Sequence, residues 1–307
     1  MNATADVPAK SASSGRFRAG LVQMTATRDI DTNIADASAL IRKAAAEGAN
    51  YVQTPEITTL MELDRERLFR AIAPERDSRA LGVFCDLARD LRIWLHIGSM
   101  AVKVEDERLA NRSYVIRPDG TIAARYDKIH MFDVDLPNGE SYKESRNYRP
   151  GASAVAVDLP WGRMGLTICY DLRFPGLHRA LAQAGAVMLA GPAAFTKTTG
   201  EAHWHALLKA RAIEAQCYVL AAGQTGMHEI GRATYGHSLI VAPWGEIIAD
   251  AGTEIGTVLA DIDMAQVAAV RSRVPSLIHD RPFDVVVETG AITSGQHVDA
   301  ARSANSA

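Results

Sequence analysis

Three short segments of this 307-residue chain share one layout, in which an apolar stretch ends at a side chain that can do chemistry. The stretches end at Glu56, Lys128 and Cys169. Strand ends on one edge of a sheet are where α/β proteins gather their reactive groups. Glu56 would then be the general base that takes the thiol proton, because the thiolate is the attacking species. Lys128 and the backbone amide of Tyr170 would stabilise the negative charge that develops on a substrate oxygen.

A simpler interpretation of these residues stays open at this point. Charged residues at strand ends are usually solvated, and a single cysteine after an apolar strand is usually a packing residue. The sequence after Cys169 nevertheless favours a nucleophile. A tight turn leads there into a helix, and the amides of such a turn can point at the group that the sulfur attacks.

Hydrophobic periodicity predicts alternating strands and helices around these residues. We predict strands at 17–24, 51–53, 93–97, 112–116, 122–125, 163–169, 186–190, 217–222, 238–242, 246–249 and 256–261. We predict helices at 31–47, 78–91, 201–216 and 264–273, and one that follows Cys169. The segment 128–151 has no period, and a loop of that length is typical of a functional region. Helix-separated strands mixed with hairpins predict an α/β (α+β) fold with a mixed sheet or a pair of sheets.

Composition narrows the class of protein. Apolar residues make up 48% of the chain, which is enough for a substantial core, and we expect one domain at 17–285 between a disordered arm at 1–16 and a flexible tail at 286–307. The net charge is −3 without a basic stripe, so no nucleic-acid partner is expected. The apolar stretches are strand-sized, so no membrane partner is expected either. Three cysteines without CxxC spacing, and a start without a secretory signal, favour a cytoplasmic protein.

The residues around the three reactive side chains resemble a known family. Thr54-Pro-Glu56, Tyr126-Asp-Lys128-Ile-His-Met-Phe-Asp133 and Cys169-Tyr-Asp-Leu-Arg-Phe-Pro175 are similar, in order and separation, to the signature segments of the carbon–nitrogen hydrolase (nitrilase) superfamily. The resemblance runs from about residue 17 to residue 282. It implies a four-layer αββα sandwich, a homodimer or higher homo-oligomer, a small-molecule amide substrate, and neither metal nor organic cofactor.

The same resemblance implies roles for the site residues. Glu56 would be the base, Lys128 the oxyanion stabiliser and Cys169 the nucleophile that forms a thioester. The family's second glutamate corresponds best to Glu144, since Lys143-Glu144-Ser145 resembles its segment better than the surroundings of Glu140 do. Two departures, Thr54 before Pro-Glu and Gly176 after Arg-Phe-Pro, put a local charge pattern in doubt but not the triad.

Further segments resemble one branch of the superfamily. Residues 192–204 and 210–219 are similar to omega-amidases and deaminated-glutathione amidases, and 216–224 with 232–237 are more similar to the latter. This implies a 2-oxo-acid amide as substrate. Arg173 is then a candidate for binding the substrate carboxylate, with a structural salt bridge as the alternative. Phe195 is a candidate for the acyl pocket, with a core position as the alternative.

Other functions remain as alternatives. An omega-amidase acting on alpha-ketoglutaramate, an N-carbamoyl hydrolase or a nitrilase would use the same triad, and an inactive binding scaffold is the non-enzyme alternative. Cys85 and Cys217 are interpreted as small hydrophobic residues. His203 and His205 are not expected to bind zinc as a pair, because residues i and i+2 of a helix do not share a face. His130 and His237 are interpreted as hydrogen-bonding supports of the site loops.

Overall fold

Two six-stranded sheets dominate the computed structural model, which describes residues 15–287 apart from Asp106 and Asn138. In spatial order the first sheet contains Gly256–Asp263 (β16), Arg16–Gln23 (β1), Tyr51–Gln53 (β2), Trp94–Glu105 (β3), Arg108–Ile116 (β4) and Ile122–Asp127 (β5). The second contains Ile247–Asp250 (β15), Leu239–Val241 (β14), Tyr218–Ala221 (β11), Met188–Ala190 (β10), Gly162–Leu166 (β9) and Val155–Leu159 (β8). Three neighbouring strands of each sheet are parallel, β1–β2–β3 and β9–β10–β11.

Helices and two small hairpins complete the described structure. The helices are Ile30–Ala46 (α1), Arg65–Ala71 (α2), Arg79–Leu91 (α3), Pro175–Gln183 (α4), Lys197–Ala215 (α5) and Ala265–Arg273 (α6). One hairpin pairs Asp133–Asp135 (β6) with Ser141–Lys143 (β7), and the other pairs Thr225–Met227 (β12) with Ala233–Tyr235 (β13). Among the described residues, no helix combines the length and the apolar character needed to cross a bilayer.

The sheets face each other across an apolar core. Leu21 and Tyr51 of the first sheet belong to the same buried cluster as Met164 and Leu189 of the second, and the Tyr51 hydroxyl lies 3.4 Å from the Met164 sulfur. Helices α1 and α3 cover the outer face of the first sheet, while α4 and α5 cover that of the second. The four-layer αββα sandwich predicted from the sequence is therefore confirmed.

Two helices show how a side-chain cap fixes the start of a helix. Asp29 accepts a hydrogen bond from the Thr32 amide at 2.7 Å before α1, and this pattern satisfies a backbone donor that has no partner inside the helix. Thr196 caps α5 in the same way, through the Thr199 amide. The prediction started α5 at residue 201, because Thr-Thr-Gly is a poor helix-forming sequence. The cap overrides that weak propensity, and the helix begins at Lys197.

Several predicted boundaries differ from the structure. Arg16, the last residue of the predicted arm, already belongs to β1, where it pairs with Asp263 of β16. Residues 1–14 and 288–307 lie outside the described part, and the arm and tail remain predictions. Strand β3 continues to Glu105 and forms a long antiparallel hairpin with β4, in which Glu105 pairs with Arg108. The segment predicted as loop, 128–151, contains the β6–β7 hairpin, and α2 was missed.

Candidate active site

The three reactive side chains lie at the ends of strands from both sheets. Glu56 follows β2, Lys128 follows β5 of the same sheet, and Cys169 follows β9 of the opposite sheet. All three line one cavity of about 500 Å³, and Glu144 lines it with them. The structure thus brings together the four residues that the sequence assigned to catalysis.

Lys128 connects the two glutamates. Its Nζ donates to Glu56 Oε1 at 2.8 Å and to Glu144 Oε2 at 2.8 Å. The Lys128 side chain is 2% exposed, and those of Glu56 and Glu144 are 5% and 13% exposed. Buried charges persist only when they are paired and hydrogen-bonded. An ammonium has three donors, so two carboxylates leave one N–H of Lys128 for a further acceptor.

Backbone and amide donors complete this network. Asn111, on β4, donates its Nδ2 to Glu56 Oε1 at 3.0 Å and to Glu144 Oε1 at 3.1 Å. The Ala194 amide donates to Glu56 Oε2 at 2.8 Å, and the Phe132 amide donates to Glu144 Oε2 at 2.7 Å. Each carboxylate therefore has both oxygens bound, which fixes its orientation toward the cavity.

The backbone at Cys169 has an unusual conformation. Its φ is +49°, in the left-handed region, which costs a residue with a Cβ on the order of 1 kcal/mol. Strand β9 has already ended at Leu166, before the predicted end at residue 169, and Cys169 opens the 3-10 helix Cys169–Arg173. The Cys169 amide donates to Pro192 O at 2.9 Å. The turn predicted at Cys169 is therefore present. The hydrogen bond to Pro192 ties it to the connection that follows β10.

Asp171 holds this turn from inside. The residue is fully buried, and its Oδ2 accepts from the Ile168 amide at 2.9 Å and from the Tyr126 hydroxyl at 2.6 Å. Its Oδ1 lies 2.7 Å from Nδ1 of His130 and also accepts from the His130 amide at 3.1 Å. This confirms the hydrogen-bonding contact expected for His130. Asp171 therefore ties the Lys128 strand connection to the turn that carries Cys169.

The electrostatics of the site favour a neutral thiol beside an ionised carboxylate. Burial and the negative charge of Glu56 raise the pKa of Cys169 well above its usual range, and Lys128 opposes them only in part. Burial alone would raise the pKa of Glu56, but the charge of Lys128 and hydrogen bonds hold that pKa below its usual value. The pKa of Lys128 is lowered by burial but raised more strongly by Glu144 and Glu56, so the amine stays protonated. The thiol must then lose its proton to a base during the reaction.

The cavity wall carries residues that the sequence reasoning missed. Arg232, in the β12–β13 connection, lines the cavity, and its guanidinium lies 4.8 Å from the centre of the Tyr142 ring. One of its amino groups donates to Ala194 O, while its buried Nε has no hydrogen-bond partner among the described residues. Arg65 and Arg146 line the same cavity. Asn111 lies on a strand with several other polar residues, so the sequence did not single it out, and Arg232 appeared only within a family-like segment.

Three candidate residues do not line this cavity. Arg173 lies beside His203, with both amino groups 3.3 Å from Nδ1, and its guanidinium is 5.4 Å from the centre of the Phe195 ring. Phe195 is buried, and its ring centre lies 4.8 Å from that of Trp204. This is the core position that was the alternative to a place in the acyl pocket. The Tyr170 ring contacts the rings of Phe132, which lines the cavity, and Phe174, which does not. The role of the Tyr170 amide stays a prediction.

The fold and the site together define a class. Two packed α/β layers place a cysteine, a carboxylate and an ammonium at one cavity, which suits covalent hydrolysis by a thiol. Residues 18–272 match the carbon-nitrogen hydrolase family, and the chain belongs to this family. It is accordingly a hydrolase of carbon–nitrogen bonds, and the resemblance predicted from three short motifs is confirmed.

Individual relatives are similar over most of their length. A Bos taurus protein named deaminated glutathione amidase is 39% identical over 265 residues, or 85% of this chain and 80% of that protein. The crystal structure of the C. elegans NitFhit protein has a TM-score of 0.82 at 36% identity, covering 88% of this chain and 66% of that chain. The crystal structure of Saccharomyces cerevisiae Nit3, a member of branch 10 of the nitrilase superfamily, has a TM-score of 0.77 at 28% identity, covering 86% of this chain and 97% of that chain.

Proposed function

We propose that this enzyme hydrolyses amides of 2-oxo acids, with deaminated glutathione as the substrate type, through a thioester on Cys169. The observation that carries the proposal is the cavity in which Cys169, Glu56, Lys128 and Glu144 lie together with the guanidinium of Arg232. The name of the Bos taurus relative supports the substrate, and the hydrogen-bond network supports the chemistry.

The first half of the reaction forms the thioester. Glu56 takes the thiol proton as the sulfur attacks the amide carbonyl, because a neutral thiol is a poor nucleophile. The negative oxygen of the tetrahedral intermediate accepts a hydrogen bond from the third N–H of Lys128, which the two carboxylates leave available. The C–N bond then breaks as Glu56 returns the proton to the leaving nitrogen, and the amine departs.

The second half releases the acid. A water molecule attacks the thioester while a carboxylate of the Glu56–Glu144 pair takes its proton. The same N–H of Lys128 stabilises the second tetrahedral intermediate. Collapse expels the Cys169 thiolate, which recovers a proton. The products are one 2-oxo acid and one amine, so the enzyme returns to its starting state with one water consumed.

Arg232 supplies the cation that a 2-oxo-acid carboxylate requires. A planar guanidinium binds a carboxylate through two parallel hydrogen bonds. The Tyr142 ring and the Ala194 carbonyl hold Arg232 in place, and the peptide of Ala194 also contacts Glu56. The oxo-acid end of the substrate would therefore lie near the nucleophile. Deaminated glutathione carries a second carboxylate at its glycine end, for which Arg146 at the cavity wall is our candidate partner.

A comparison of two substrates tests this arrangement. Deaminated glutathione and alpha-ketoglutaramate share the oxo-acid end, but only the first carries the glycine carboxylate. We expect Arg232→Met to lower kcat/KM for both by about 10- to 100-fold, as a lost charged hydrogen bond predicts. Arg146→Met should lower it only for deaminated glutathione. Equal activity of wild type and Arg232→Met on both substrates would contradict the proposed role of Arg232.

The alternative activities are tested in the same assay. An N-carbamoyl amino acid and a simple nitrile, run beside the two amides with Cys169→Ala as the blank, separate the amidase from a carbamoyl hydrolase and a nitrilase. A faster Cys169-dependent reaction with alpha-ketoglutaramate than with deaminated glutathione would assign the omega-amidase activity instead. Absence of turnover with all four compounds would reject the substrate proposal and favour a binding scaffold.

We also propose a homodimer and a cytoplasmic location. Exposed apolar side chains at Ile213, Trp244 and Ile247 support an interface, since such side chains are often covered in an assembly. Three free cysteines support a reducing compartment. Light scattering coupled to gel filtration measures the first directly, and a mass near that of one chain would reject the dimer.

A further inference from the structure

A group of metal-ligand side chains lies outside the catalytic cavity. His205 comes from α5, His237 from the connection between β13 and β14, and Asp250 from the end of β15. One potential ligand atom from each residue lies within 4.8 Å of the others, and none of the three residues lines the catalytic cavity. We propose that they form a binding site for one divalent cation of the zinc type.

The distances between these atoms suit a tetrahedral ion. Nε2 of His205 lies 3.4 Å from Asp250 Oδ2, and Nδ1 of His237 lies 3.1 Å from the same oxygen. Zinc bonds to imidazole and carboxylate of about 2.0–2.2 Å place neighbouring tetrahedral ligands roughly 3.4 Å apart. Two of the three spacings are therefore close to the required value. The third spacing, between the two imidazole nitrogens, is at most 4.8 Å, so these nitrogens must approach each other to bind one ion, with water in the fourth position.

Contacts behind the ligands orient them. The Tyr235 hydroxyl lies 3.5 Å from Nδ1 of His205, which leaves Nε2 directed at Asp250. Asp250 Oδ1 accepts from the Gly252 amide at 2.8 Å and also lies 2.9 Å from Nδ1 of His237. Oδ2 faces both imidazoles, so we assign Oδ2 to the cation. Partners of this kind fix the tautomer and the orientation of metal ligands. The chemistry of two imidazoles and one carboxylate favours zinc and its first-row neighbours over calcium or magnesium.

A second histidine, His203, lies on α5 two residues before His205. His203 and His205 were not expected to bind zinc together, and the structure separates them: His203 contacts Arg173, whereas His205 faces Asp250. His237 also has a φ of +51°, in the left-handed region, which directs its ring toward Asp250. His203 is therefore a matched control, because it lies on the same helix two residues away and outside the site.

The position of the site indicates that the cation stabilises the fold by linking three segments. It connects α5 to β15 and to the segment between β13 and β14, and Arg232 lies five residues before His237, at the other end of β13. A bound cation stabilises the folded state in proportion to the logarithm of its concentration. At about 100 times its dissociation constant it should raise the Tm by about 4–5 °C for a chain of this size.

A cobalt and zinc titration tests the site. All proteins carry Cys169→Ala, so that the reactive thiol does not bind the metal. We expect one equivalent of Co²⁺ to give a visible absorption band that Zn²⁺ removes, with the accompanying rise in Tm. His205→Ala, His237→Asn and Asp250→Asn should weaken binding at least 100-fold, whereas His203→Ala should not. Asparagine is chosen at 237 because it tolerates the left-handed conformation.

A second measurement tests the site without substituting its ligands, so it applies even if those variants fail to fold. Anomalous scattering at the zinc edge, from crystals of the Cys169→Ala protein soaked in Zn²⁺, should give a peak between His205, His237 and Asp250. A peak elsewhere, with none there, would overturn the proposal. The absence of any bound equivalent at millimolar metal would do the same, as would equal weakening by His203→Ala, and the three residues would then form a hydrogen-bonded ion pair only.

Discussion

Replacing Lys128 by methionine removes the ammonium that pairs with both Glu56 and Glu144. Its Nζ lies 2.8 Å from an oxygen of each carboxylate, and the three side chains are 2–13% exposed. Breaking a buried ion pair by removing one partner costs about 3–5 kcal/mol, because an unpaired charge is left behind. Losing an oxyanion donor costs about 10²–10³ in kcat. We therefore expect Lys128→Met to reduce both the free energy of unfolding and the rate.

The two effects should differ in their dependence on pH. Without Lys128, burial and mutual repulsion raise the pKa of one carboxylate in the folded state above its unfolded value. The folded variant then binds more protons than the unfolded chain, so its stability falls as the pH rises through that raised pKa. The destabilisation should be smallest near pH 5 and largest near pH 8, while the loss in kcat persists throughout.

Urea unfolding and steady-state kinetics at three pH values measure these effects. Lys209→Met is the matched control, since Lys209 is exposed on α5, and it should behave as wild type. A loss in kcat of less than about 10-fold would remove Lys128 from oxyanion stabilisation. A free energy of unfolding equal to that of Lys209→Met at every pH would refute the assignment of a buried charge network.

Further predictions concern the surroundings of this network. Glu144→Gln should lower kcat by about 10²-fold with little change in KM, since it perturbs proton transfer more than binding; a pure rise in KM would make it a binding residue. Asp171→Asn should cost about 1–3 kcal/mol in urea unfolding and lower kcat, because an amide replaces an acceptor of buried donors; unchanged values would contradict its positioning role. Burial lowers the pKa of His96 to about 3, so the unfolded state binds more protons below pH 6.5, and stability should fall on acidification. His96→Gln should make that fall shallower by about 1.4 kcal/mol per pH unit, and an identical slope would refute it.

The cavity residues Glu56, Lys128 and Cys169 were predictable because each closely follows a strand, and strand ends are where α/β proteins gather reactive groups. The spacing did not predict that the strand ends come from two facing sheets, with Cys169 after β9 of the second sheet. The two-sheet arrangement followed from the family resemblance rather than from periodicity. The β6–β7 hairpin was missed, because its two strands have three residues each and no periodic apolar pattern. The prediction also ended β3 at residue 97, although β3 continues to Glu105 and forms a hairpin with β4.

The arginines of the cavity wall were less accessible to sequence reasoning. Arg173 lies four residues beyond Cys169, but the 3-10 turn directs its guanidinium to His203. Arg232 lies 63 positions after Cys169 in the chain and reaches the cavity only through the β12–β13 hairpin. The direction of a side chain out of a turn depends on backbone angles that the sequence does not state. For that reason proximity in sequence favoured an arginine that does not line this cavity.

The central claim is that Cys169 carries the acyl group during amide hydrolysis. Acid quenching of wild-type enzyme during turnover of deaminated glutathione, followed by peptide mass spectrometry, measures that intermediate directly. We predict a 2-oxoglutaryl thioester on the peptide that contains Cys169, formed at least as fast as cysteinylglycine is released. Cys217→Ala should show the same adduct, and Cys169→Ala should show neither adduct nor turnover. Turnover that continues in Cys169→Ala would contradict the account.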